Sequence, residues 1–308
     1  MDSIPYCFVD NALFLLTMPS VLAVNELESS NWQSAAKTHL EKRVCYSIYI
    51  YFNREDAILN YEITDEEDVN FLTIEELLRS DLRYVQVSSL HIERESFWNE
   101  KELGPFPELT AEQIPQVVLL LSVMSCNGTL DCISLLMSKY NEGFVTSLMK
   151  ELMKNDVQTT RLDIGLELNC NSPISEEFLK YQLKQEPLKT LNLDGDWNRV
   201  KEDIERFVCS SNCTSLHIVD SPYFEINFFK RIVAYWTLLS QESNGHEVKI
   251  RVNTVRHLKD DLSSWMRLYE ERKSRIGSVF QLEIENACIY ATYRDNMCEL
   301  SYCPYFYD

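Results

Sequence analysis

The 308-residue sequence has little glycine and little positive charge. Its seven glycines stand singly, so it contains no glycine-rich phosphate-binding loop. Lysine and arginine total 29 against 48 aspartates and glutamates, a formal net charge of −19, and no stretch gathers the basic residues. Because neutralising phosphates supplies most nucleic-acid affinity, this balance argues against a partner that is DNA, RNA or an anionic membrane.

Long hydrophobic runs are also missing. The most apolar early segment, residues 12–24, is 13 residues long and contains Pro19, so it is too short to span a bilayer. The first three residues, Met1-Asp2-Ser3, lack the basic leader of a secretory signal. Ten cysteines lie scattered through apolar runs, as reduced, buried thiols do. We therefore expect a cytoplasmic or nuclear protein with no membrane partner.

Catalytic motifs are absent as well. No Gly-x-Ser-x-Gly elbow and no His-Glu-x-x-His pair occurs, and the five histidines are far apart. Cys209, Cys213 and His217 have the spacing of metal ligands, but the predicted register places Cys209 at the end of a helix, Cys213 on the core side of a strand and His217 on its outer side, and a fourth ligand is missing. The sequence predicts no catalytic residues, no metal, no cofactor and no enzymatic activity.

What the sequence does contain is a recurring alternation of strand and helix patterns in residues 110–308. The stretch PLKTLNLDGDW holds Leu191-x-Leu193, and four similar strand patterns begin at Leu162, Leu216, Val248 and Leu282. Their starts are 29, 25, 32 and 34 residues apart, with helical patterns between them, one of which covers residues 257–273. One strand and one helix cannot bury their own apolar face, so such units stack. An ordinary α/β fold with alternating strands and helices is the alternative.

The residues between these strand leucines face the opposite side of the sheet from the core. They predict a face that is acidic at its start, basic in the middle and acidic again. Repeat proteins bind partners on such faces, whereas the alternative is a solvated sheet surface. The candidate partner-binding residues are Asp163, Asn192, Asp194, His217, Lys249, Arg251 and Glu283.

Residues 1–109 differ from the rest. Three short amphipathic helices are predicted over residues 1–43, the third beginning with a capping box from Ser30 to Gln33. A hairpin over residues 44–63 follows, then a helix opened by Thr73-x-x-Glu76, a further strand, and a linker at residues 99–109.

Residues 4–40 resemble an F-box. Ile4-Pro5 takes the place of the family's Leu-Pro start, apolar residues form two helices, and Trp32 takes the place of its tryptophan. The resemblance implies that these helices dock on the small adaptor subunit of a cullin–RING ubiquitin ligase. The residues implied in that contact are Ile4, Pro5, Phe8, Val9, Leu13, Leu16, Val21, Leu22, Leu27 and Trp32.

Residues 110–308 resemble divergent leucine-rich repeats, and the whole layout is similar to the expanded F-box-like families of nematodes. The fold expected is α/β: a helical F-box-like unit (1–43), a β-hairpin-containing connector (44–109) and an irregular βα solenoid (110–308). The function implied is substrate recognition for a ubiquitin ligase, with an unknown protein target on the strand face. The alternative is a free-standing scaffold protein whose N-terminal helices only cap the core.

Overall fold

A computed structural model describes most of the chain. The described residues are 4–16, 18–52, 59–65, 72–94, 107–125, 129–166, 172–210, 212–219, 226–239, 248–253, 264, 266–271, 278–284, 287–294 and 297–304. The chain divides into two compact units, Met1–Thr160 and Arg161–Asp308. No helix in these ranges has the length and apolar character needed to cross a bilayer.

The first unit opens with three helices where the sequence predicts them, namely α1 (Tyr6–Phe14), α2 (Met18–Asn25) and α3 (Ser30–Lys42). The predicted capping box at the start of α3 is wrong. Ser29, rather than Ser30, occupies the N-cap, and its side chain makes no capping hydrogen bond to the first turn. The side-chain amide of Gln33 donates instead to the carbonyl oxygen of Asn25, at 3.4 Å, because the end of α2 lies beside it.

The rest of the first unit is a small α/β assembly. Its elements are β1 (Val44–Phe52), β2 (Leu59–Asp65), α4 (Ile74–Arg79), β3 (Val85–Arg94), α5 (Ile114–Met124), β4 (Thr129–Met137) and α6 (Glu142–Lys154). The strand order is β2-β1-β3-β4, with the predicted hairpin antiparallel and β1, β3 and β4 parallel. The capping box at α4 is confirmed: Thr73 N–H donates to Glu76 Oε2 at 2.8 Å, and Glu76 N–H donates to Thr73 Oγ1 at 3.2 Å.

The second unit alternates strands and helices and then ends in strands alone. Its elements are β5 (Gln158–Leu166, which begins just before the boundary), α7 (Pro173–Gln182), β6 (Thr190–Asp194), α8 (Lys201–Val208), β7 (Ser215–Val219), α9 (Ile226–Leu239), β8 (Val248–Asn253), β9 (Arg267–Glu271), β10 (Ser278–Ile284), β11 (Ala287–Arg294) and β12 (Met297–Pro304). The strands β5 to β8 are parallel and neighbour one another in chain order. The α/β class is therefore confirmed.

The predicted alternation of parallel strands and helices stops at β8. The strand that pairs with β8 is β12, which is antiparallel to it, followed by β11, β10 and β9. Leu282 and Ile284 therefore lie in an antiparallel meander and not in a fifth parallel strand. Part of the helix predicted over residues 257–273 is wrong, because Arg267–Glu271 is strand β9, and residues 254–263 lie outside the described ranges.

Cross-strand register explains why the leucine pattern is so regular in β5 to β7. Leu162 pairs with Leu191 and Leu191 with Leu216, and all three side chains are buried. The next partner is Ile250 rather than Val248, a shift of two residues from the predicted alignment. A shift of two keeps every side chain on its own face of the sheet, so the apolar row continues.

The turn after β6 requires a glycine. Gly195 has a φ of 109°, which side-chain-bearing residues rarely adopt, and a Cβ there would lie 2.9 Å from Cβ of Leu166. The following Trp197 is buried, and its indole N–H donates to the carbonyl oxygen of Asp194 at 3.2 Å. The carboxylate of Asp196 accepts from the backbone N–H of Asn198 at 3.0 Å. Asp194 and Asp196 thus take part in the turn.

We expect Gly195→Ala to lower the free energy of unfolding by about 1–3 kcal/mol, because it adds both backbone strain and a steric clash. Gly143→Ala is the matched control, since a Cβ at that position of α6 would meet nothing within 4 Å. The control should be neutral or stabilising by up to about 1 kcal/mol. Urea denaturation measures both, and equal effects would contradict the steric explanation.

Candidate interaction surfaces

The three N-terminal helices enclose a hydrophobic core of their own. Its fully buried members are Val9, Leu13, Val21, Ala35 and Ala36, and its partly buried members are Ile4, Leu16, Val24, Trp32 and Leu40. Six of the ten residues predicted for adaptor contact therefore belong to this core or pack on it: Ile4, Val9, Leu13, Leu16, Val21 and Trp32. They hold the helices together.

The other predicted contact residues lie outside. Pro5 is exposed, and Phe8, Leu22 and Leu27 have 58%, 53% and 42% of their surface accessible. Tyr6 and Leu15, which sequence reasoning did not single out, are also exposed. We call Tyr6, Phe8, Leu15, Leu22 and Leu27 the helical patch. Half of the ten exposed large hydrophobic residues in the described ranges lie in this stretch of 22 positions.

A buried polar network fixes how the three helices pack. His39 of α3 is fully buried, and its Nε2 lies 3.0 Å from Oδ1 of Asp10 in α1. Its Nδ1 lies 2.9 Å from Nη2 of Arg43. Because Arg43 can only donate, Nδ1 accepts, and the proton of a neutral His39 is on Nε2.

Arg43 also completes the end of α1. Its two terminal nitrogens donate to the carbonyl oxygens of Leu13 and Leu16, each at 2.6 Å. A cation bound to the last carbonyls of a helix satisfies them and suits the helix dipole. The basic end of α3 was visible in the sequence, but its contact with a helix about 30 residues earlier was not.

The network extends to the turn before β3. The ring of Tyr84 lies 5.1 Å from that of His39, edge to face, and Arg83 lies 3.6 Å from the carboxylate of Asp10. Lys42 lies over the same tyrosine ring. These contacts attach the helices to the strands within the first unit.

The residues predicted for the strand face are partly brought together. Asp163, Asn192, His217 and Arg251 are successive register partners across β5 to β8, so they form one row, which we call the polar row. Asp194 and Lys249 lie on the same strands, two residues from the row. Glu283 is in β10, within the antiparallel meander, and lies outside the row.

Hydrogen bonds order one end of the polar row. The amide nitrogen of Asn192 donates to Oδ1 of Asp163 at 2.6 Å. The guanidinium of Arg161 donates to both oxygens of the same carboxylate, at 3.1 Å and 2.8 Å. A fork of this kind holds the carboxylate in one orientation. The buried leucines on either side of Asn192 fix the position of this end of the polar row.

The cysteine and histidine spacing noted in the sequence does not form a metal site. Within the described residues, no group of three or more histidine, cysteine, aspartate or glutamate side chains could hold a metal ion. Cys213 is buried, and burial raises the pKa of its thiol to about 12, so it stays protonated. Cys209 borders an open groove with Glu205 and Arg231, which are already paired with each other.

Comparisons with known proteins found no counterpart: no protein-family model, no curated protein and no solved structure matches this chain.

The helical unit should be less stable in mild acid. Burial and then the charge of Arg43 lower the pKa of His39 below its ordinary 6.5, although Asp10 opposes them. A lowered folded-state pKa gives stability that is complete above about pH 6.5 and is lost as the pH falls, because the unfolded state binds the proton more tightly. We expect the free energy of unfolding to drop between pH 7 and pH 5.

His39→Gln tests this, since glutamine can donate to Asp10 and accept from Arg43 without titrating. The free energy of unfolding of this variant should change less steeply with pH than that of the unmodified protein. The difference in slope is at most about 1.4 kcal/mol per pH unit, which corresponds to the uptake of one proton. Glu41→Gln, at an exposed position of the same helix, is the control. Equal slopes for the His39 variant and the unmodified protein, measured by denaturation at several pH values, would contradict the assignment.

Proposed function

We propose that this protein is a substrate-recognition subunit of a cullin–RING ubiquitin ligase. The helical patch would bind the small adaptor subunit, and the polar row would bind the protein to be ubiquitylated. The protein itself performs no chemistry in this proposal. It brings a target to the enzymes of the ligase.

The observation that carries the proposal is how the apolar residues of the three helices are divided between a buried core and the exposed surface. If α1 to α3 only capped the strands behind them, their apolar residues would be buried against those strands. They have their own buried core instead, and Phe8 and Leu22 remain mostly exposed. A concentration of exposed apolar side chains on a folded protein is typical of a protein-binding surface.

The geometry of α1 favours a helix-mediated contact. Phe8 and Leu15 are seven positions apart, which places them on the same side of the helix. Val9 and Leu13 on the other side reach the core. One helix thus holds the unit together with one face and presents a second apolar face outward.

The polar row supports the assignment of a target-binding face. Parallel neighbouring strands present Asp163, Asn192 and His217 side by side, all partly exposed. The ordered carboxylate of Asp163 provides a hydrogen-bond acceptor in a defined position. Polar groups in fixed positions give a contact its register and its specificity.

The test is co-purification of the ligase adaptor with the full-length chain. Replacing Phe8 and Leu22 by aspartate together should reduce the recovered adaptor at least about tenfold, because both side chains would be placed against an apolar partner surface. The adaptor, purified separately, also allows the affinity to be measured by calorimetry. Neither substitution enters the helical core, so the circular dichroism spectrum should be unchanged.

Leu119→Asp is the matched control, since this residue of α5 is 56% exposed and lies outside the helical patch. It should leave adaptor recovery within about twofold, as surface substitutions away from a contact do. If the unmodified chain recovers no adaptor, or if removing residues 1–43 leaves recovery unchanged, the ligase role fails. A free-standing scaffold protein would then be the better description.

A further inference from the structure

The sheet of the first unit has a second face, on the side opposite to its hydrophobic core. Ile48, Ile50 and Phe52 of β1 are buried in the core. The residues that alternate with them, and their register partners on β2 and β3, point the other way. We call this set the aromatic face: Ser47, Tyr49, Tyr51, Asn60, Glu62, Thr64, Ser89, His91 and Glu93.

Three rings on the aromatic face are nearly parallel. Tyr49 and His91 are cross-strand neighbours whose ring centroids are 4.6 Å apart with planes inclined by 12°. Tyr49 and Tyr51 are stacked at 6.2 Å and 8°. Nε2 of His91 lies 3.0 Å from the hydroxyl of Ser89, which itself donates to the hydroxyl of Ser47 at 2.7 Å. The rings are therefore held in place while each remains partly exposed.

Two carboxylates accompany these rings. Glu62 is only 8% exposed, and the hydroxyl of Tyr51 donates to its Oε2 at 2.9 Å. Glu93 is exposed and is the register partner of Tyr51. Among the described residues neither carboxylate forms an ion pair with a lysine or arginine. A buried carboxylate with one hydroxyl partner is a site of strong attraction for a cation.

Among the described residues, positive charge is missing from the same face. The described strands β1, β2 and β3 contain a single lysine or arginine, Arg94, which is exposed at the end of β3 and pairs with Phe52, so its register is that of the opposite face. Burial, and then the hydrogen bond to Glu62, raise the pKa of Tyr51 far above its ordinary value, so its hydroxyl remains a donor. The face therefore combines stacked rings, fixed negative charge and no internal cation within the described strands.

We propose that the aromatic face binds an arginine-containing segment of a partner protein. A guanidinium is planar, weakly hydrated and always charged, so it can stack on Tyr49, Tyr51 or His91 while it donates to Glu62 or Glu93. A lysine ammonium can meet the carboxylates but stacks less well. The net charge of −19 would draw basic partners toward the protein and repel nucleic acid and anionic lipid. This surface shares no residue with the helical patch.

The probes are three fluorescein-labelled hexapeptides, Gly-Arg, Gly-Lys and Gly-Glu each repeated three times, titrated with the full-length chain and followed by anisotropy. The arginine peptide should bind at least about threefold more tightly than the lysine peptide, because only arginine gains the stacking contact. The glutamate peptide should not bind. Equal affinity for arginine and lysine peptides would overturn the proposal, since net charge alone would then explain the binding.

Variants test the position of the site. Glu62→Gln should weaken the arginine peptide about tenfold or more, because it removes a poorly solvated charge partner. Glu75→Gln on α4 makes the same change of net charge at an exposed position and should alter affinity less than twofold. If both variants bind equally, the proposal is wrong.

Two further substitutions keep the test decisive if Glu62→Gln impairs folding. Glu93→Gln changes an exposed carboxylate of the same face, and Tyr49→Leu keeps an apolar side chain but removes the ring. Each should weaken the arginine peptide about threefold or more, with the Tyr49 variant lowering the preference for arginine over lysine. Unchanged affinity in both would reject this face as the site. None of these residues belongs to α1 or α2, so failure here leaves the adaptor experiment unaffected.

Discussion

The alternation of side chains along a strand is the constraint on which both sheet surfaces depend. Successive residues of a strand point to opposite sides, so apolar residues at every second position leave the intervening residues on the other face. In β6, Leu191 and Leu193 are buried while Asn192 is partly exposed. The same rule in β1 buries Ile50 and turns Tyr49 outward. Core packing thus determines which polar or aromatic side chains are available to a partner.

Local signals in the sequence predicted local structure well. The hairpin, the Thr73 cap and the strands β5 to β8 all depend on contacts between near neighbours or on a two-residue period. The end of the chain was different, because a stretch around Arg267–Glu271 fits both helical and strand patterns and only its partner in the sheet decides between them. The pairing of β8 with β12 depends on residues about 50 positions apart, which periodicity does not reveal.

The same limit applies to the surfaces. The sequence identified apolar residues of the first helices, but not that Val9 enters a core while Phe8 stays outside, because that depends on how α1 packs on α3. The contact between Asp10 and His39 joins residues 29 positions apart and has no local signature. The polar row was predictable because its members occupy equivalent positions in successive strands.

The strand β12 has a consequence for how such a chain can change its length. A parallel array of strand–helix pairs has an open edge to which another copy could be added, whether by duplication of a repeat or by association with a second molecule. Here the edge of β8 is occupied by an antiparallel strand from the end of the same chain. Growth at that edge is blocked, because no further parallel strand can pair with β8 there.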